Sequence, residues 1–273
     1  MLWYSGTTMR QGFSLVELSI VLVILGLLTG GILTGQHLIR AAELRSVTVD
    51  IQRYHTAAMA FREKYRMFPG DMNNAIDFWG AADADPATCY NTEGTGSQTC
   101  NGNGDGFISL NIFGEDDLRN SEGFRFWEHL ANAGMIEGDY SGVGPAGAGW
   151  RDVAIPGENV PAMRIGGGVQ AVSARMDNYG PVGQRWTGTG VTDVRTHMYV
   201  GEANSSGGPW SPLFSPEEMW GMDKKIDDGG AGTGRFTALH PRPECVDDTD
   251  VNTGQYVLTT TSVECVAIYF VEF

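Results

Sequence analysis

Between Glu17 and Arg40 the chain has no charged residue and no proline. These 22 positions are apolar apart from glycine, Ser19, Thr29, Thr34, Gln36 and a neutral His37. As an α-helix they would rise roughly 33 Å, enough to cross the hydrocarbon core of a bilayer. A secretory signal peptide has a shorter apolar core, about 7–15 residues, followed by a small-residue cleavage site; this run has neither feature. Chemistry motifs are equally scarce. The 5 histidines show no His-Glu-x-x-His spacing, and there is no Gly-x-Ser-x-Gly elbow and no Walker loop, which removes the common zinc peptidase, hydrolase and nucleotide-hydrolase signatures. Basic residues are few: 18 against 33 acidic ones. From Pro69 onward the counts are 11 and 29, so a broad nucleic-acid surface, which must neutralise phosphates, is not expected.

What is present begins with a single acid. Glu17 sits at the head of the apolar run, where a lone carboxylate costs on the order of 2.5–3.5 kcal/mol on membrane-insertion scales and so calls for a partner. Beyond the run, Ala41, Leu44, Val47, Ile51, Tyr54, Ala58, Phe61 and Tyr65 recur at steps of three and four, an apolar stripe on one helix face. The spacing predicts one helix from about Phe13 to Met67, stopped by Phe68-Pro69-Gly70. Its outer half needs a domain to cover the stripe. Gly26, Gly30, Gly31 and Gly35 form two Gly-x-x-x-Gly spacings. They suit close helix packing, or local melting, because each glycine weakens a helix by roughly 0.8–1.0 kcal/mol against alanine.

Gly12-Phe13-Ser14-Leu15-Val16-Glu17-Leu18 resembles the cleavage and methylation motif of type IV pilins and type II secretion pseudopilins. The resemblance implies that a prepilin peptidase cuts between Gly12 and Phe13 and methylates the new N-terminus. Glu17 would then be the fifth mature residue, neutralising the Phe13 amine of an adjacent subunit in a water-free bundle. Met9-Arg10-Gln11-Gly12 reads as a short basic leader, so translation is expected to start at Met9, and Arg10 fits a cytoplasmic N-terminus. The expected organisation is a leader over 1–12, a transmembrane and assembly helix over 13–40, a stem helix over 41–68 and an exported globular domain over 69–273. The expected fold is α+β, with the long helix packed on an antiparallel sheet carrying long glycine-rich loops.

The resemblance implies a structural filament subunit, not an enzyme. Its partners would be other copies or related pilin subunits, the prepilin peptidase, an inner-membrane assembly platform, and lipid before assembly. The expected location is the bacterial inner membrane, then an extracellular pilus; the alternative is a periplasmic pseudopilus of a type II secretion system. An anchored exoenzyme or carbohydrate-binding protein, using aromatics such as Trp210 and Trp220, is the remaining reading. The four cysteines lack any Cys-x-x-Cys spacing, which argues against zinc. Export to an oxidising compartment favours disulfides, and nearest-neighbour pairing, Cys89–Cys100 and Cys245–Cys265, is the expectation among three possible pairings.

Within the domain, strands are expected over 169–176, 194–201, 255–260 and 266–271, and helices after Ser121 and from Ser215-Pro216-Glu217-Glu218. Asn101-Gly102-Asn103-Gly104-Asp105-Gly106-Phe107 resembles the start of an EF-hand calcium loop. Side-chain oxygens of Asn101, Asn103 and Asp105 alternate, and the Phe107 carbonyl follows. Ile112 stands where that loop carries its bidentate glutamate, so Asp116 and Asp117, or Glu115, are the expected completing ligands. Calcium is the only cofactor expected; a glycine-rich Asx turn without an ion is the competing reading. Asp223-Lys224-Lys225-Ile226-Asp227-Asp228-Gly229 reads as a helix C-terminus before it reads as a second ion site. Together with Phe68-Pro69-Gly70-Asp71-Met72 it resembles segments of large pilin-like proteins.

Overall fold

The computed structural model describes residues 14–89, 92–109, 122–145, 153–174, 185–204 and 207–271. The chain divides into two compact units, 1–43 and 44–273. The first helix, α1 (Leu15–Tyr65), runs through both. In the first unit its apolar residues, Leu15 to Leu33, are all half or more exposed. Among the described residues α1 is the one helix long and apolar enough to cross a membrane.

In the second unit the same helix buries Val47, Ile51, Tyr54, Ala57, Ala58 and Phe61. This is the stripe expected from the sequence. The helix ends two residues early, at Tyr65, with Arg66 in the left-handed region at φ 62° and its N–H bonded to the Arg62 carbonyl at 2.8 Å. Pro69 then forbids continuation.

Short helices α2 (Ile76–Trp79) and α3 (Pro86–Cys89) follow, then α4 (Glu122–Asn132). The expected Ser121 cap lies outside the described residues. All of α4 from Glu122 to Leu130 is buried, with Trp127 edge-on to Tyr54 of α1 at 5.1 Å. Strands β1 (Gly168–Ala174), β2 (Arg195–Asn204), β3 (Gly207–Ser211), β4 (Phe236–Ala238) and β5 (Ala267–Phe270) form one antiparallel sheet. Its order is β1-β2-β5-β4, with β3 also on β2. Thr196 to Gly201 are buried without alternation, the mark of a strand covered on both faces. Tyr269 of β5 meets His55 of α1 at 5.7 Å, and Trp210 of β3 stacks on Tyr199 of β2 at 6.0 Å. The α+β architecture is therefore a long N-terminal helix plus an antiparallel sheet domain.

One strand expectation is corrected. Residues 255–260 form no strand; Tyr256 makes a single bridge to Val246 and the chain then turns. The residues Thr259-Thr260-Thr261 have strand-like propensity, but the run lies outside the sheet and its side chains are mostly exposed. Helix α5 (Pro216–Ile226) starts as expected: Ser215 and Glu218 make a full capping box, with proline at its first turn.

Candidate functional site

The candidate site residues fall in three places. At the head of α1, Ser14 and Glu17 form a local cap. Glu17 Oε2 accepts the Ser14 N–H at 2.9 Å, and Ser14 Oγ accepts the Val16 N–H at 3.3 Å. The Ser-x-x-Glu spacing that signals such a cap was present in the sequence but hidden behind the apolar run that follows it. Within this chain, then, the carboxylate already faces the first peptide N–H beyond Phe13. Gly12 and Phe13 themselves lie outside the described residues.

The glycine-rich loop 101–107 is wrapped around the segment that follows α1. Met72 O accepts the Gly102 N–H at 2.8 Å and Asp71 O accepts the Gly104 N–H at 3.0 Å. A Cβ on Gly102 would collide with the Gly70 carbonyl, and one on Gly70, held at φ +84°, with the Glu122 carbonyl. Glycine is required at both by close backbone approach. Among the expected ligands, Asn101 Oδ1 is committed to the Ile76 N–H at 3.0 Å. Asn103 Oδ1 accepts from Asp105 N, and Asp105 Oδ1 from Phe107 N, both at 2.8 Å. Asp116 and Asp117 lie outside the described residues.

Two acids that sequence reading left out of this loop are built into it. Asp71 Oδ2 accepts the Gly106 N–H at 3.1 Å. Glu122, the first residue of α4, accepts Asn103 N and Ser109 N on separate oxygens, each at 2.9 Å. Burial, reinforced by neighbouring carboxylates, pushes Asp71 up to about 6 and Glu122 up to about 7. Neither could be tied to the loop from spacing, since Asp71 lies 35 residues from Gly106. The one sequence signal was Asp71's place beside Pro69-Gly70, a forced reversal.

Behind the loop lies a buried polar network. Gly70 N–H donates to His129 Nδ1 at 2.9 Å, so Nε2 carries the proton and points at Thr99 Oγ1, 3.1 Å away. Thr99 donates to Glu128 at 2.5 Å. Arg125 holds both oxygens of Glu128, at 2.9 and 2.8 Å, and reaches the carbonyls of Cys89 and Thr92. Cys89 pairs with Cys100, and Cys245 with Cys265. Burial lowers His129 to about 3, which keeps it neutral and unsuited to proton transfer near pH 7. The hydroxyl–imidazole–carboxylate contacts are therefore a scaffold that ties the Cys89–Cys100 loop to α4.

Comparison with family models matches residues 7–33 to the prokaryotic N-terminal methylation motif. The chain carries the signature of type IV pilins and pseudopilins. This motif implies cleavage by prepilin peptidase and assembly into filaments, and with the apolar half of α1 it fits membrane anchoring before assembly. Proteins bearing it are usually structural and without catalysis. No curated protein and no solved structure matches the chain. The methylation motif thus speaks for the apolar half of α1, while the domain from Leu44 onward is described by its own geometry.

Elsewhere in this pilin-like chain, Asp223, Asp227 and Asp228 bring carboxylate oxygens within 4.8 Å of one another. Their bonds are those of a helix end. Asp223 accepts Gly229 N at 3.1 Å and the Tyr256 hydroxyl at 2.9 Å, Asp227 accepts Arg235 N and Phe236 N, and Asp228 accepts Gly230 N and the Thr233 hydroxyl. Trp210 is packed on Tyr199, and Trp220 carries the Lys224 ammonium at 4.5 Å.

Proposed function

We propose that this protein is a structural subunit of a type IV pilus-like filament, assembled from the inner membrane after cleavage between Gly12 and Phe13. The observation that carries this reading is the sequence register of Gly12, Phe13 and Glu17 at the head of an apolar run whose residues, among those described, are half or more exposed. Lipid covers that run before assembly and other subunits cover it afterwards. Transfer from lipid to bundle is then driven by packing and by pairing of charges.

Glu17 supplies the register. Its carboxylate, bonded to Ser14 N–H within its own chain, would exchange that bond for the freed amine of Phe13 from a neighbouring subunit. A subunit shifted along the bundle would leave two charges buried and unpaired, a loss of about 3–5 kcal/mol. Glu17→Val is therefore expected to insert into the membrane normally and to be depleted from filaments, measured by immunoblots of membrane and sheared fractions. Normal incorporation would refute the pairing.

The test of the whole reading is mass spectrometry with electron microscopy of sheared surface fibres. Protein beginning at N-methylated Phe13 within long fibres supports it. Processed protein confined to the envelope, without fibres, replaces it with a type II secretion pseudopilin. An uncleaved N-terminus removes both.

A further inference from the structure

Alone among the asparagines of the chain, Asn204 is followed two places later by a serine or threonine, Ser206, with no proline between. Asn-x-Ser is the minimal acceptor for N-linked glycosylation, a modification of surface segments in exported proteins. Glu202 stands two places before the asparagine, giving the run Glu202-Ala203-Asn204-Ser205-Ser206. An acid at that place belongs to the longer acceptor that oligosaccharyltransferases of bacterial type take.

The fold brings this run to the surface. β2 is buried from Thr196 to Gly201 and then leaves the core: Glu202 and Ala203 are exposed, and Asn204 is half-buried. Regular pairing also ends here. Glu202 pairs with Ser211 and Asn204 with Gly207, and the register shifts between the two, an irregularity that disrupts the ladder locally. Asn204 Nδ2, the atom a sugar would join, donates to Ser211 Oγ at 3.4 Å, longer than a strong bond of this kind. Ser205 and Ser206 lie outside the described residues, and their part in the acceptor is read from the sequence.

We propose that Asn204 is an N-glycosylation site, served by a bacterial-type transferase and a polyprenyl-pyrophosphate-linked oligosaccharide. Nδ2 bonds to the anomeric carbon of the first sugar, and the bond from that carbon to the pyrophosphate oxygen breaks. The electron pair leaves with the polyprenyl pyrophosphate, and one amide proton passes to a base of the transferase. Glu202 and Ser206 are the groups by which the transferase recognises the acceptor. The site rests on export of the domain, one part of the filament reading, because the donor is used on the outer side of the membrane. It depends neither on cleavage at Gly12 nor on fibres.

The test is mass spectrometry of the full chain purified from the membranes of the cells that make it. Trypsin releases Thr196–Lys224, in which Asn204 is the one asparagine. That peptide is expected to carry added sugar mass, which fragmentation places on Asn204. Asn204→Gln and Ser206→Ala should lose the added mass, Ser206→Thr should keep it, and Glu202→Gln should lose most of it. An unmodified Asn204 in protein whose domain is open to protease in spheroplasts would overturn the proposal. So would sugar on a serine or threonine of the same peptide, or full modification in Ser206→Ala. A domain shielded from protease would overturn both this site and the exported-filament reading. The N-terminal peptide, cut or uncut before Phe13, reports on the filament reading separately.

Discussion

Asp223 shows how a single buried acid sets a pH dependence. It is fully buried at the end of α5, and burial, with Asp228 and Asp227 nearby, pushes it up to about 7 from an ordinary 3.8; the Tyr256 hydroxyl and Gly229 N–H act the other way. A raised folded-state value means that the stabilisation from this group is complete below about pH 4 and is lost as pH rises through 7. Asp223→Asn removes the titration and keeps an acceptor for Gly229 N–H. Denaturant unfolding at pH 5 and pH 8 should therefore show the variant gaining on the wild type at the higher pH; a pH-independent difference would contradict the assignment. The Arg125–Glu128 pair, at 2.8 Å and 2% and 6% exposed, makes the opposite point. Removing one partner strands the other, and Arg125→Met is expected to cost about 3–5 kcal/mol by equilibrium denaturation. Glycine, proline and capping residues of this kind were legible in the sequence, as Ser215 and Glu218 show. Asp71 and the burial of Arg125 were not, because Asp71 meets Gly106 35 positions away and Arg125, besides its i,i+3 partner Glu128, is held by Cys89 and Cys100, 36 and 25 positions away.

At the scale of elements, α1 was the most legible. Its apolar run and its three-and-four stripe are local patterns, and only its last turn differed, because Arg66 takes up a left-handed conformation before Pro69 acts. Strands β1, β2 and β5 were legible as apolar runs. Strands β3 and β4 were not: Gly207-Gly208-Pro209 reads as a turn, and three residues are too few to show a period. Both exist because β2 and β5 offer them edges. The glycines of α1 lie on a regular helix, and a Cβ at Gly26, Gly30, Gly31 or Gly35 would meet nothing within 4 Å. Gly30→Ala should therefore leave helix content and membrane insertion unchanged or slightly improved, read by circular dichroism in micelles. A fall in filament yield with intact insertion would show that this face packs against a neighbour.

For the molecule as a whole, two disulfides bracket the domain, one beside α4 and one leading into β5. The Cys245–Cys265 bridge closes a loop with a sequence separation of 20, and replacing both cysteines by serine should cost about 3 kcal/mol, seen as a lower midpoint in denaturant. Sheet order carries a further consequence. β5 lies between β2 and β4, so among the described strands the one latest in the chain fills a gap between two that precede it. During synthesis, β2 and β4 wait without the neighbour that joins them until residues 267–270 emerge, only two positions after Cys265. Order in time and order in space run against each other here, and a stalled or shortened product that stops before Ala267 leaves two unpaired edges for the cell to clear.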